Sequence, residues 1–170
     1  MTPGSMDYPR RQSRRTPCRV TRDIYPPLGS NGARLFGGRF NPPGVPALYL
    51  AQDADLAMRE STRSAELAGL TLLAPRRIVC VRLVLQYVVL LDDPETVAVL
   101  GLSEEDLLAP WPAPKDELTA CQLLGERLFL AGVEGIRYPS AIDRTRVNYA
   151  VFRDNLRLGG SVLDLVTQDA

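Results

Sequence analysis

The sequence predicts a single α+β domain, a mixed β-sheet with flanking helices rather than a doubly wound parallel sheet. Two observations lead there. At 170 residues, 45% hydrophobic and 24% charged, the chain has the size and apolar content of one soluble domain. Short β-branched, apolar runs recur along it, and the helical patterns fall between them without regular β-α-β alternation. No internal repeat and no clean compositional break divides the chain.

The elements follow in order. Residues 1–16 are rich in Pro, Arg, Ser and Gly, with a small basic cluster at Arg10, Arg11, Arg14 and Arg15, and are expected to be a flexible basic tail. The folded domain is expected over 17–170. It opens on a short strand at about 17–22, followed by a turn-rich stretch containing Pro26, Pro27, Gly29, Asn31 and Gly32. The segment from Gly37 to Gly44 is too rich in Gly and Pro for a regular element. Pro46 to Ala51 alternates as a strand, and Asp53 is placed to N-cap a helix running to about Leu67. Arg77–Leu83 and Tyr87–Leu91 read as strands. Asp93-Pro94-Glu95 and Ser103-Glu104-Glu105 open helices. Pro110–Pro114 is a rigid connector, and a helix is expected from about Asp116 to Ala131, stopped at Gly132. Short strands at about Gly135–Tyr138, Val147–Arg153 and Ser161–Val166 close the chain.

Composition excludes several functions. Twenty basic and twenty acidic residues leave a formal net charge of zero, which argues against direct DNA binding by bulk electrostatics. Histidine is absent, and with it Ser-His-Asp or Cys-His catalysis and His-ligated metal. The three cysteines, Cys18, Cys80 and Cys121, have no CxxC spacing, so neither a disulfide framework nor a zinc site is expected; Cys80 and Cys121 read as small core residues. No metal site is expected. No apolar stretch approaches the roughly 20 residues of a membrane span, and no apolar signal core follows the arginine-rich start. A cytoplasmic protein, with no membrane association, is expected.

The remaining chemistry lies with a few residues. Glu60 shares a helical face with Leu56, Ala57, Ser64 and Leu67; such a carboxylate is paired, at a cleft edge, or costly. It either serves a site or pairs with Arg59 or Arg63. Tyr49 shares a strand face with Ala47 and Ala51, which leaves room beside the ring for a flat ligand or makes it an ordinary core tyrosine. Arg39 follows two glycines, and its guanidinium either binds phosphate or packs on Phe40; no P-loop pattern is present. Ser140 follows Pro139 at a strand exit. With nothing to activate it as a nucleophile, it is a hydrogen-bonding or a turn serine.

Taken together, Arg39, Tyr49, Glu60 and Ser140 resemble the RES domain, a family named for an arginine, a glutamate and a serine. The matching stretches are Gly37 to Ala51, the helix containing Ala57-Met58-Arg59-Glu60, and Gly135 to Ala141. Arg19 and Asn148 also fall where this family tends to have such residues. Phe40 stands where the family often has Trp, and residues 85–131 carry little family signal.

The resemblance implies an ADP-ribosyltransferase-like fold and a toxin that consumes NAD as its substrate. ADP-ribose would pass to an acceptor, with phosphate favoured over a protein or water. A helix-turn-helix antitoxin of the Xre type would cover the site. It further implies that Arg39, with Arg19, holds the pyrophosphate, that Tyr49 stacks near the nicotinamide, and that Glu60 stabilises the cationic ribose. Ser140 would orient that ribose or the glutamate. A non-catalytic module that binds a nucleotide or a partner is the alternative, and self-association into a homodimer stays open.

Overall fold

The computed structural model describes residues 16–69, 75–111 and 117–166, and among them are seven short strands and five helices. The strands are β1 (Cys18–Arg22), β2 (Leu48–Ala51), β3 (Arg76–Val84), β4 (Val88–Leu90), β5 (Gly135–Pro139), β6 (Val147–Val151) and β7 (Val162–Leu165). They form one sheet in the order β4-β5-β6-β2-β1-β3-β7. Only β4 and β5 run parallel; the other neighbours are antiparallel. The α+β class is the one the chain adopts.

The helices are α1 (Asn31–Phe36), α2 (Ala54–Leu67), α3 (Pro94–Val99), α4 (Glu104–Leu108) and α5 (Ala120–Leu130). The starts of α2, α3, α4 and α5 are fixed by side chains that satisfy the otherwise unpaired first-turn N–H groups. Asp53 accepts from the Leu56 N–H at 3.0 Å, Asp93 from the Thr96 N–H at 3.1 Å, and Ser103 from the Asp106 N–H at 3.1 Å.

Residues directly opposite in neighbouring strands point to the same face, so the register defines the two sides of the sheet. Tyr138, Asn148, Ala51, Cys18 and Cys80 form one continuous row across five strands. Leu56 and Ala57 of α2 pack on Cys18 and Ala51 of that row. Further along the same face, α3, α4 and α5 cover Tyr49, Ala150, Ile136 and Tyr138 through Val97, Leu107, Cys121 and Leu124. The opposite face buries Leu48, Leu50, Val81, Tyr149 and Val151. Gly125 of α5 lies directly on the Phe40 carbonyl, where any side chain would collide with the backbone.

Several expectations are corrected. Asn31–Phe36, read as part of a turn-rich stretch, is a helix, although none of its residues is buried. The last long helix starts at Ala120, because Thr119 and Gln122 form a reciprocal capping box there. Strand β6 stops at Val151, and a 3-10 turn follows at Arg153–Asn155. Cys18 and Cys80 are joined by a disulfide. Their separation of 62 residues carried no pairing signal, but the register of β1 and β3 sets them directly opposite. Cys80 is therefore a bridge, whereas Cys121 is a buried free thiol. The basic cluster of the tail and residues 112–116, including the expected helix start at Asp116, lie outside the described residues.

Candidate active site

Helix α2 carries Glu60 two turns beyond its Asp53 cap, over the row that contains Asn148. The Glu60 Oε1 atom accepts two hydrogen bonds, from the Ser140 hydroxyl at 2.7 Å and from Asn148 Nδ2 at 2.8 Å. Among the described residues Oε2 makes no such bond, so one oxygen is held and the other is open. Ser140 is fully buried, and its oxygen also accepts from the N–H groups of Ile142 (3.2 Å) and Asp143 (3.3 Å). Those donors occupy its lone pairs and turn the hydroxyl proton toward Glu60.

Asn148 makes this arrangement at a cost. Its Oδ1 is buried without a hydrogen-bond partner among the described residues, a defect worth about 1–3 kcal/mol. The amide is oriented to donate to the carboxylate, and its acceptor is left unused.

The loop that carries Ser140 is fastened to the start of α2 by charge. Arg146 donates to Asp53 and, at 2.7 Å, to Asp55. Burial works against ionising Asp53, but Arg146 and the helix N–H outweigh it and hold its carboxyl below the ordinary range. Arg59 faces Asp143 at 3.6 Å, so the ion pair expected as one reading of Glu60 goes instead to aspartates.

Tyr49 donates from its hydroxyl to Asn41 Oδ1 at 2.6 Å and accepts from the Phe40 N–H at 2.9 Å. Asn41, fully buried, in turn donates to the carbonyls of Ala33 and Val45. A side chain at Gly38 would come within 2.5 Å of the Tyr49 ring and hydroxyl. That glycine therefore serves close approach of the loop to Tyr49. Burial and the neighbouring Tyr138 push the Tyr49 hydroxyl well above the ordinary phenol range, and it stays protonated.

Arg39 leaves this loop and donates through Nη1 to the carbonyls of Leu107 (3.1 Å) and Ala109 (2.8 Å) at the end of α4. Among the described residues its other N–H groups make no hydrogen bond. Its charge reaches Tyr49, Tyr138 and Cys121, and that of Glu60 reaches Tyr138. Burial raises the Cys121 thiol to about 11 against the pull of Arg39, so no thiolate forms near neutral pH.

Arg39, Tyr49, Glu60 and Ser140 thus line one face of the sheet, with Tyr138 between Arg39 and Glu60. Arg19 is not brought to them. It alternates with Cys18 along β1, opposite Val79, and donates to the Gly29 carbonyl at 2.8 Å. Two participants were not singled out by residue chemistry. Asn148 was visible only through the family resemblance, and Tyr138 had no signal beyond lying two residues before Ser140.

A family model described as RES domain matches residues 16–166. This chain belongs to the RES-domain family. Within it, the chain is 33% identical over 119 residues to the NAD(+) phosphorylase MbcT of Mycobacterium bovis and equally to that of Mycobacterium tuberculosis. That match takes in 67% of this chain, and the chain spans 61% of the length of those curated relatives. The structure resembles the crystal structure of the M. tuberculosis MbcT–MbcA toxin–antitoxin complex, with a TM-score of 0.75 and 30% identity. The likeness covers 90% of this chain and 81% of that one, so the RES-domain fold extends over the strands and helices that carry Arg39, Tyr49, Glu60 and Ser140.

Proposed function

We propose that this chain is a toxin that cleaves the nicotinamide–ribose bond of NAD and passes ADP-ribose to phosphate. The observation that carries the proposal is the Glu60 carboxylate. One oxygen is fixed by Ser140 and Asn148, and the other is open on the face it shares with the Arg39 guanidinium. A cation on the same face as an open carboxylate, with Tyr138 between them, matches a substrate that is anionic at its pyrophosphate and becomes cationic at its reacting ribose.

In this reading the pyrophosphate binds Arg39 through the N–H groups that α4 leaves free. As the glycosidic bond breaks, its electron pair goes to the nicotinamide nitrogen, which leaves neutral. The positive charge left on the ribose faces Glu60 Oε2, held there in advance. A phosphate oxygen then bonds to the same carbon, giving phosphorylated ADP-ribose. No strong base is required, in keeping with a chain that lacks histidine. Ser140 and Asn148 orient the glutamate, and Tyr49 holds the glycine loop while offering its ring to the nicotinamide. Arg19, on the opposite face of the sheet and bonded to the Gly29 carbonyl, takes no part in this reading.

The relative MbcT supports the assignment by name, as an NAD(+) phosphorylase in the sequence comparison and as a member of a toxin–antitoxin complex in the structural one. By the same reasoning this chain is neutralised in the cytoplasm by an antitoxin of the helix-turn-helix class that covers Glu60. Its basic tail, residues 1–16, lies outside the catalytic domain, and the chain does not bind DNA itself.

The test is NAD consumption by the purified protein, with and without inorganic phosphate, beside Glu60→Gln. Phosphate-dependent nicotinamide release with phosphorylated ADP-ribose as product is expected from the wild type alone. Release indifferent to phosphate would move the acceptor to water or a protein. Full turnover by Glu60→Gln would overturn the mechanism.

A further inference from the structure

We infer that the hydroxyl of Tyr138 is a substrate-binding group, donating a hydrogen bond to the dinucleotide between its pyrophosphate and its reacting ribose. This rests on the NAD-consuming reading above and adds a residue to it.

Tyr138 is 7% exposed, and its ring is fixed against Phe40 with centroids 4.6 Å apart. A ring so placed needs no hydroxyl: phenylalanine would pack equally well. Buried phenols normally find a protein partner, but this one makes no hydrogen bond among the described residues. Nor is the oxygen sealed in the interior, since the only buried side-chain polar atom there without a partner is Asn148 Oδ1. The hydroxyl therefore opens into the space above the sheet.

Its position in that space follows from the strands. Tyr138 stands opposite Asn148 across β5 and β6, and by alternation it shares a face with Ser140, two residues on. Both of those residues hold Glu60. On its other side lies Phe40, the neighbour of Arg39 in the glycine loop. Burial and the nearby carboxylate keep the phenol protonated against the opposing effect of Arg39, so it is a donor at neutral pH. In a dinucleotide held by its pyrophosphate at Arg39 and by its ribose at Glu60, the group that joins the two is the nicotinamide-side phosphate of the pyrophosphate, esterified at the ribose 5′ oxygen. Its oxygens are acceptors.

The experiment compares wild type with Tyr138→Phe, which removes one oxygen and leaves the ring. KM for NAD is expected to rise about tenfold, the loss of a hydrogen bond to a charged group, with a smaller change in kcat. Calorimetric titration should show a similar loss of affinity for nicotinamide mononucleotide and none for AMP. The melting temperature should not fall, because the hydroxyl has no partner in the protein; a structural role would lower it without separating the two half-substrates. If wild type consumes NAD and Tyr138→Phe keeps its KM, or loses both half-substrates equally, the inference is overturned while the NAD reading stands. If wild type neither binds nor consumes NAD, both fall.

Discussion

Ser140 holds Glu60 across 80 residues of sequence, its hydroxyl 2.7 Å from the carboxylate oxygen. The serine has one proton to give, and the two backbone N–H groups that bind its oxygen leave it one direction to give it. Ser140 is thus a fixed support for the glutamate, with no freedom to act as a nucleophile.

Asn148 shares that task and separates function from stability. Asn148→Leu removes the donor to Glu60 together with the unpartnered Oδ1. Loss of the unpartnered Oδ1 offsets loss of the donor, because Glu60 Oε1 keeps its bond from Ser140 and is not left unsatisfied. The melting temperature should hold or rise while turnover falls about tenfold, the usual size of one lost positioning hydrogen bond. Parallel melting and rate measurements check this, and a variant that melts early at full rate would refute it.

Arg39→Ala should weaken NAD binding by about tenfold or more, the scale of a lost charge-assisted contact. It also deprives the α4 carbonyls of Leu107 and Ala109 of their donor, so a modest drop in melting temperature is expected too. Arg39→Lys keeps the charge without the fork and should recover only part of the affinity. The measurement is calorimetric titration with NAD in the Glu60→Gln background, where the ligand is not consumed.

Glu134 gives the fold a dependence on acid. It is fully buried and accepts from the N–H groups of Gln86, Tyr87 and Arg157 and from the Ser161 hydroxyl. Burial opposes its ionisation, but these donors outweigh burial and hold the carboxyl below its ordinary value. A depressed folded-state value contributes stability above the ordinary carboxylate range, and that contribution is lost as pH falls through the folded value. Glu134→Gln sets an NH2 group against N–H donors and should cost about 1–3 kcal/mol near neutral pH. The difference from wild type should shrink in acid. Denaturant titrations at neutral pH and below pH 4 check the sign.

The cysteines offer a direct chemical test. Unfolded without reductant, the protein should take up one equivalent of an alkylating agent, at Cys121; after reduction it should take up three. Mass spectrometry distinguishes the two, and three equivalents without reductant would remove the Cys18–Cys80 bridge.

Local signals were legible wherever the deciding interaction is local. The Asp53 cap and α2 were readable because the capping carboxylate and the Leu56 N–H that donates to it lie three residues apart. Helix α1 was not, because Asn31 and Gly32 are turn residues and none of its side chains is buried to mark a periodic face. The start of α5 was misread because the acids before it resemble a first turn, while the Thr119–Gln122 box fixes the start later. Asn148 had no local mark, since its role depends on a partner 88 residues away.

By itself the sequence determined the α+β class, the order of the elements other than α1 and the residues able to do chemistry without histidine. Those follow from periodicity, capping and side-chain inventory, which act within a few residues. Only the tertiary structure decided which of those residues meet. The register of β5, β6, β2, β1 and β3 set Tyr138, Asn148, Ala51, Cys18 and Cys80 in one row, brought the two cysteines into a bridge, and turned Arg19 away from Glu60. A shift of one residue in any of these pairings would exchange the faces. That choice is made by burial summed over the whole sheet, not by any segment of it.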